Sequence, residues 1–195
     1  MPTSWPGHGR AQSPIPDRPT LAPVAAPKTP TRNPTSLARL YARPGFLLRR
    51  AHQISAAVFE DACRELALTP AQFGVLTVLQ AHPGMGQSSL ARALGFDKVT
   101  VLRVLRGLEG RGFVARGPSE DNRRNVCVSL TAEGQRVLQQ AQKPAEKAYK
   151  RLMAPLDREQ QDQLLYLLQL LTGELEDEAR AAFVPPSAPA PRQVA

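Results

Sequence analysis

The sequence is poor in the residues that would brace a fold covalently or hold a metal. It has two cysteines in 195 residues, Cys63 and Cys127, far apart in the chain. Its three histidines, His8, His52 and His82, are scattered, with no Cys/His ligand spacing. A metal sensor is therefore not expected. No stretch approaches the ~18–20 apolar residues that span a bilayer. The N-terminus also lacks the apolar core of a secretory signal. These absences predict a soluble, cytoplasmic chain with reduced thiols and no membrane partner. Nucleophile motifs, phosphate loops and paired metal-ligand clusters are missing too, so neither an enzyme nor a bound cofactor is expected.

What the chain has in excess is positive charge, +8 overall. The charge is uneven: residues 86–130 carry +4, whereas residues 131–182 carry −2. A surplus concentrated in one segment points to a local polyanion site rather than a generally adhesive surface.

Proline is also unevenly placed. Nine of the 19 prolines lie in residues 1–35 and four in residues 185–195. Such tails bury too little apolar surface to offset ordering entropy, so residues 1–35 and 184–195 are predicted to be disordered. Between them, apolar residues at positions 47, 48, 51, 54, 58, 59 and 62 repeat with a helical period over residues 46–66. Thr69-Pro70 is a helix start, and residues 70–81 form the next helix. A short helix over 88–94 closes at Gly95, and Asp97 caps a longer one to about Arg111. Residues 113–116 and 125–130 read as strands around the polar loop 117–124. A helix follows to about Met153, with a kink or break at Pro144, and a last helix runs from Pro155 to about Phe183. The predicted class is mainly α with a small β-wing.

In the helix after Asp97, Val101, Leu102, Leu105 and Leu108 form the predicted buried stripe. Lys98, Val99, Thr100 and Arg103 fall on the outward, N-terminal side, from which a recognition helix reaches base edges. Arg or Lys bonds guanine, and Thr or Val meets a thymine methyl. Arg106, one turn on, suits a phosphate. A solvated charged face would look the same in isolation. The loop that follows adds a second feature, because adjacent arginines stand at the tip of a hairpin. Arg123 is the candidate for insertion into a narrow minor groove. Arg124 suits a phosphate or structural contact, and Asp121 a pairing that shapes the wing. An ordinary polar turn accounts for the Asp and Asn but not for paired arginines.

The last helix spaces Leu164, Leu168, Leu171 and Leu175 by four, three and four residues. Such a stripe either caps the core of a monomer or pairs with a second copy.

These features converge on Leu90-Ala91-Arg92-Ala93-Leu94, Val99-Thr100 with Leu105, Leu108 and Glu109, Arg111-Gly112-Phe113-Val114, Asp121-x-Arg123-Arg124, and Val128-x-Leu130-Thr131-x-x-Gly134. In this the chain resembles the MarR family of winged helix–turn–helix regulators, from about Pro44 to Leu175. The resemblance implies an intertwined helical homodimer. Residues 36–66 and 132–183 would interlock, and residues 67–131 would form the DNA-binding domain. Two such domains would straddle palindromic double-stranded DNA, usually as a repressor released by a small ligand. The Pro-rich arm and the tail have no standard role in the family.

Residues 43–52 further resemble the first helix of members that respond to aromatic carboxylates. A small organic acid in an apolar pocket needs a cationic or hydrogen-bonding partner and hydrophobic walls. Arg49, Arg50 and His52 are the candidate polar groups, and Phe46, Phe73 and Leu76 the candidate walls. The implied inducer is a hydroxybenzoate, a cinnamate or a hydroxynicotinate. Two alternatives stay open. One is a redox-responsive repressor acting through Cys63 or Cys127, and the other an architectural DNA binder with no inducer.

Overall fold

The computed structural model describes residues 36–118 and 126–186. The chain divides into two units, Met1–Arg50 and Ala51–Ala195. In the first, the described residues hold α1 (Ser36–Tyr41) and the start of α2 (Pro44–Ala62). The sequence did not suggest α1. Pro44 stands in the first turn of α2, where its missing N–H is not needed. The amides of Phe46 and Leu47 close that turn onto the Arg43 carbonyl at 3.0 and 3.1 Å.

In the second unit α2 ends at Ala62 and not near 66, because the chain tightens into a 3-10 turn, Arg64–Leu66. Ala67 then takes a left-handed conformation, φ 45°. Helix α3 (Pro70–Ala81) starts as the sequence predicts. The Thr69 hydroxyl accepts from the Gln72 amide at 3.3 Å, and the Gln72 side chain accepts from the Thr69 amide at 3.1 Å. This reciprocal cap satisfies two otherwise unpaired donors.

A short strand that the sequence reading missed, β1 (Met85–Gly86), leads into α4 (Gln87–Ala93). Gly95, at φ +61°, turns the chain toward α5 (Lys98–Gly110), a geometry that glycine adopts without steric penalty. Strands β2 (Val114–Pro118) and β3 (Val126–Leu130) pair antiparallel, with Arg116 opposite Val128, and β1 pairs with the far edge of β3. The sheet order is therefore β1-β3-β2.

Helix α6 (Ala132–Met153) runs through Pro144 without the expected break. Proline removes one helical hydrogen bond, that to the Gln140 carbonyl. Gln140 is exposed, so water can replace the donor, while Ala141, Ala145 and Ala148, on the side of the helix that the half-buried Pro144 partly shares, are buried and hold the helix in place. The last helix is also shorter than predicted. It is α7 (Arg158–Glu174), with Pro155 in the turn before it. Its true start is Asp157, which accepts from the Gln160 amide at 2.9 Å and donates its own amide to the Gln160 side chain at 3.0 Å. After Leu175 the chain makes a 3-10 turn, Glu176–Glu178, and residues 179–186 continue without regular structure, bending at Arg180 and Ala181.

The core of the second unit gathers Phe59, Leu68, Leu76, Leu79, Leu90, Leu105, Leu108 and Leu138. Gly134 marks its tightest point. A Cβ there would lie 2.0 Å from the Phe113 carbonyl oxygen, so α6 can reach β2 only without a side chain at this position.

Candidate nucleic-acid interface

Helix α5 is held from both ends. At its start the Asp97 carboxylate accepts from the Thr100 amide at 2.7 Å and from the Thr100 hydroxyl at 3.1 Å. The Thr100 amide is the main reason that the Asp97 carboxyl sits below its usual range, and its hydroxyl and Arg103 add to the effect. Thr100, offered by the sequence as a base contact, is thus half-buried with its hydroxyl committed to the cap. Lys98, Val99, Arg103 and Arg106 are exposed, and Val99 is 75% accessible. On the inner side Val101, Val104, Leu105 and Leu108 are buried. Val104 takes the place the sequence reading gave to Leu102, which is only half-buried. One face of α5 therefore carries three cations and an apolar tip into solvent, with its other face locked into the core.

The end of α5 is fixed by two arginines to which sequence reasoning gave no such role. Arg111 donates to the carbonyls of Ala67 and Leu66 at 2.7 and 2.6 Å, and its guanidinium lies 4.4 Å from the centre of the Phe113 ring. Arg116 on β2 pairs with Glu109 on α5 at 2.6 Å. This pair ties the base of the wing to the helix and neutralises the one acidic side chain in α5. Its only sequence signal was the pairing of opposite charges across the Gly112 turn. On the other side of the wing, Thr131 donates to the Gly112 carbonyl at 2.6 Å and caps α6 by accepting from the Gly134 amide at 3.0 Å. Asp121, Arg123 and Arg124 lie outside the described residues.

A helix–turn–helix followed by a two-stranded wing is what the comparisons with known proteins find as well. The MarR family model matches residues 68–126. The HTH-type transcriptional repressor NicR of Pseudomonas putida is 31% identical over 133 residues, 68% of this chain and 84% of that protein. The chain belongs to the MarR family. Among solved structures, the CouR repressor bound to a 23-mer DNA duplex is 35% identical with a TM-score of 0.63, covering 69% of this chain and 95% of that one. BpsR of Bordetella bronchiseptica, solved in a study of how 6-hydroxynicotinic acid regulates its DNA binding, is 29% identical at a TM-score of 0.63, covering 68% and 94%. As a MarR-family member the chain is a DNA-binding transcriptional regulator, not an enzyme, and its fold is the family's winged helix–turn–helix.

The proposed inducer residues fall in both units. In the first, Arg49 and Arg50 are exposed, and the Arg49 guanidinium lies 5.1 Å from the centre of the half-buried Phe46 ring. In the second, His52 is exposed and Phe73 is half-buried, its ring 5.4 Å from that of Phe59. Leu76 is fully buried in the core and offers no open surface as a wall in this conformation.

Cys63 does not have the setting of a thiol sensor. Cys63 is buried, and burial pushes its thiol pKa up, away from the reactive thiolate. Cys127 is half-buried, its sulfur 3.6 Å from the Pro118 carbonyl. Among the described residues no group of three His, Cys, Asp or Glu side chains is placed to hold a metal, and no helix is long and apolar enough to cross a membrane.

Proposed function

We propose that this MarR-family regulator works as a homodimer on palindromic double-stranded DNA and represses until a small aromatic or heteroaromatic acid releases it. The observation that carries the dimer is the surface of α7. None of its residues is buried, and Leu164, Leu165, Leu167, Leu170 and Leu171 are between 37 and 51% exposed. With Leu168 and Leu175 they make an apolar face too continuous for an isolated soluble helix. A second copy of the same helix covers it by symmetry. Residues 36–66 and 132–183 then form the dimerisation region, and residues 67–131 read DNA.

On each copy Lys98, Val99 and Arg103 enter the major groove and Arg106 meets a phosphate. Arg123 and Arg124 extend the contact from the wing, with Asp121 shaping it. The choice of an acid inducer is supported by relatives. BpsR is a protein whose DNA binding is regulated by 6-hydroxynicotinic acid. Arg49 and Arg50 carry the charge that a carboxylate needs. Release requires the acid to bind more tightly to the conformation that fits DNA poorly.

The test is a calorimetric screen of hydroxynicotinates, hydroxybenzoates and cinnamates, followed by titration of the binders into the protein–DNA complex. Saturable binding that displaces DNA is expected. If no acid binds and none affects the complex, the inducer class is wrong, and the DNA reading stands or falls on its own experiment.

A further inference from the structure

The segment after α7 does something that the helical expectation did not anticipate. Residues 179–186 leave the helical path, bend at Arg180 and Ala181, and return to the helix–turn–helix. The Val184 amide donates to the Arg92 carbonyl at 2.9 Å. Arg92 lies in the last turn of α4, where carbonyls lack helical partners, and its carbonyl also receives the Gly95 amide at 3.3 Å. Phe183 sits against the same turn, its Cβ 3.8 Å from where a side chain on Gly95 would begin. The Phe183 amide donates to the Glu176 carboxylate at 2.7 Å, which folds the strap back onto the end of the leucine-bearing helix. The turn between α4 and α5 is thus held directly by the chain that emerges from α7.

We propose that Phe183 and Val184 are positioning residues for DNA binding. They fix the helix–turn–helix relative to α7, and so set which half-site spacing the protein accepts. This rests on the reading that two copies bind a palindrome through paired α7 helices. With the strap attached, the spacing of the two recognition helices follows the α7 pairing. With it detached, each helix–turn–helix has more freedom to adjust. Val184 is more than half exposed, so Val184→Pro removes the donor with little loss of packing, and Phe183, which lies outside any helix, tolerates a following proline. Phe183→Ala tests the second contact.

Two measurements on the full chain decide the matter. The first is hydrogen exchange at the Gly95 and Phe96 amides without DNA. Exchange in Val184→Pro is expected to quicken about five- to tenfold, the effect of losing one hydrogen bond on a local opening. The second uses the genomic duplex that the full-length protein retains, and the same duplex lengthened at its centre by one or two base pairs. Each insertion turns one half-site by roughly 35° relative to the other. The unaltered protein is expected to lose about tenfold in affinity per insertion, and both variants less than about threefold. Unchanged exchange would show that the strap does not hold the turn. Faster exchange with unaltered spacing discrimination would show that it holds the turn without positioning it. Either result overturns the proposal. If the unaltered protein itself tolerates the insertions, the two-copy reading fails and the proposal fails with it.

Discussion

Arg111 donates to the Ala67 carbonyl at 2.7 Å, joining the residue that follows α5 to a left-handed turn 44 residues earlier. The second arm of the guanidinium takes the Leu66 carbonyl. A planar fork suits this pair of acceptors, and a lysine ammonium does not. Arg111→Lys is expected to lower unfolding free energy by about 1–2 kcal/mol, the contribution of a hydrogen bond from a charged group reduced by its exposure. Urea denaturation measures it, and an unchanged midpoint would mean that the clamp holds nothing.

The cap on α5 makes stability depend on pH. The Asp97 carboxyl is held below its usual range chiefly by the Thr100 amide. A depressed folded pKa stabilises the fold above the unfolded value, and that contribution is lost as pH falls through the folded value. Asp97→Asn keeps an acceptor for the amide but does not titrate. The advantage of the unaltered protein over Asp97→Asn in thermal midpoint should be constant above about pH 5 and shrink below about pH 4. A constant difference down to pH 2 would remove Asp97 as the cause.

Much of this was legible beforehand because caps and turns are local. Thr69 with Gln72, Asp97 with Thr100 and Thr131 with Gly134 each act within three residues, so their helices start where the sequence puts them. The Arg111 clamp and the Val184 strap were not legible, since each joins segments far apart in the chain to backbone carbonyls, which leave no mark in side-chain identity. The end of α7 was misread because residues such as Ala181 and Ala182 suit a helix as well as a strap. Pro144 was misread because local propensity takes no account of the buried alanines one turn to either side, which anchor the helix in the core.

The leucine face gives a direct prediction about assembly. Leu168→Glu with Leu171→Glu places charges where two α7 helices would meet. Sedimentation equilibrium should find the unaltered chain as a dimer and the double variant as a monomer, with DNA affinity reduced at least about a hundredfold, because contacts from two linked modules no longer add. A dimeric double variant would move the interface elsewhere.

On the recognition helix, Arg103 is exposed and not needed for the core. Arg103→Ala should cost about 1–3 kcal/mol against the preferred site and relax the base preference at one position in each half. Arg123→Ala should instead weaken binding to all sequences alike and reduce the salt slope by about one. Equal effects of the two variants on specific and random DNA would contradict this division of labour.

The most direct test is to sequence the genomic DNA that the purified full-length protein retains at near-physiological salt. The expected result is a small set of sites sharing a two-fold symmetric motif, with half-site centres about 10–10.5 base pairs apart. Retained fragments with no common motif, bound as tightly as random duplex, would contradict sequence-specific regulation by this protein.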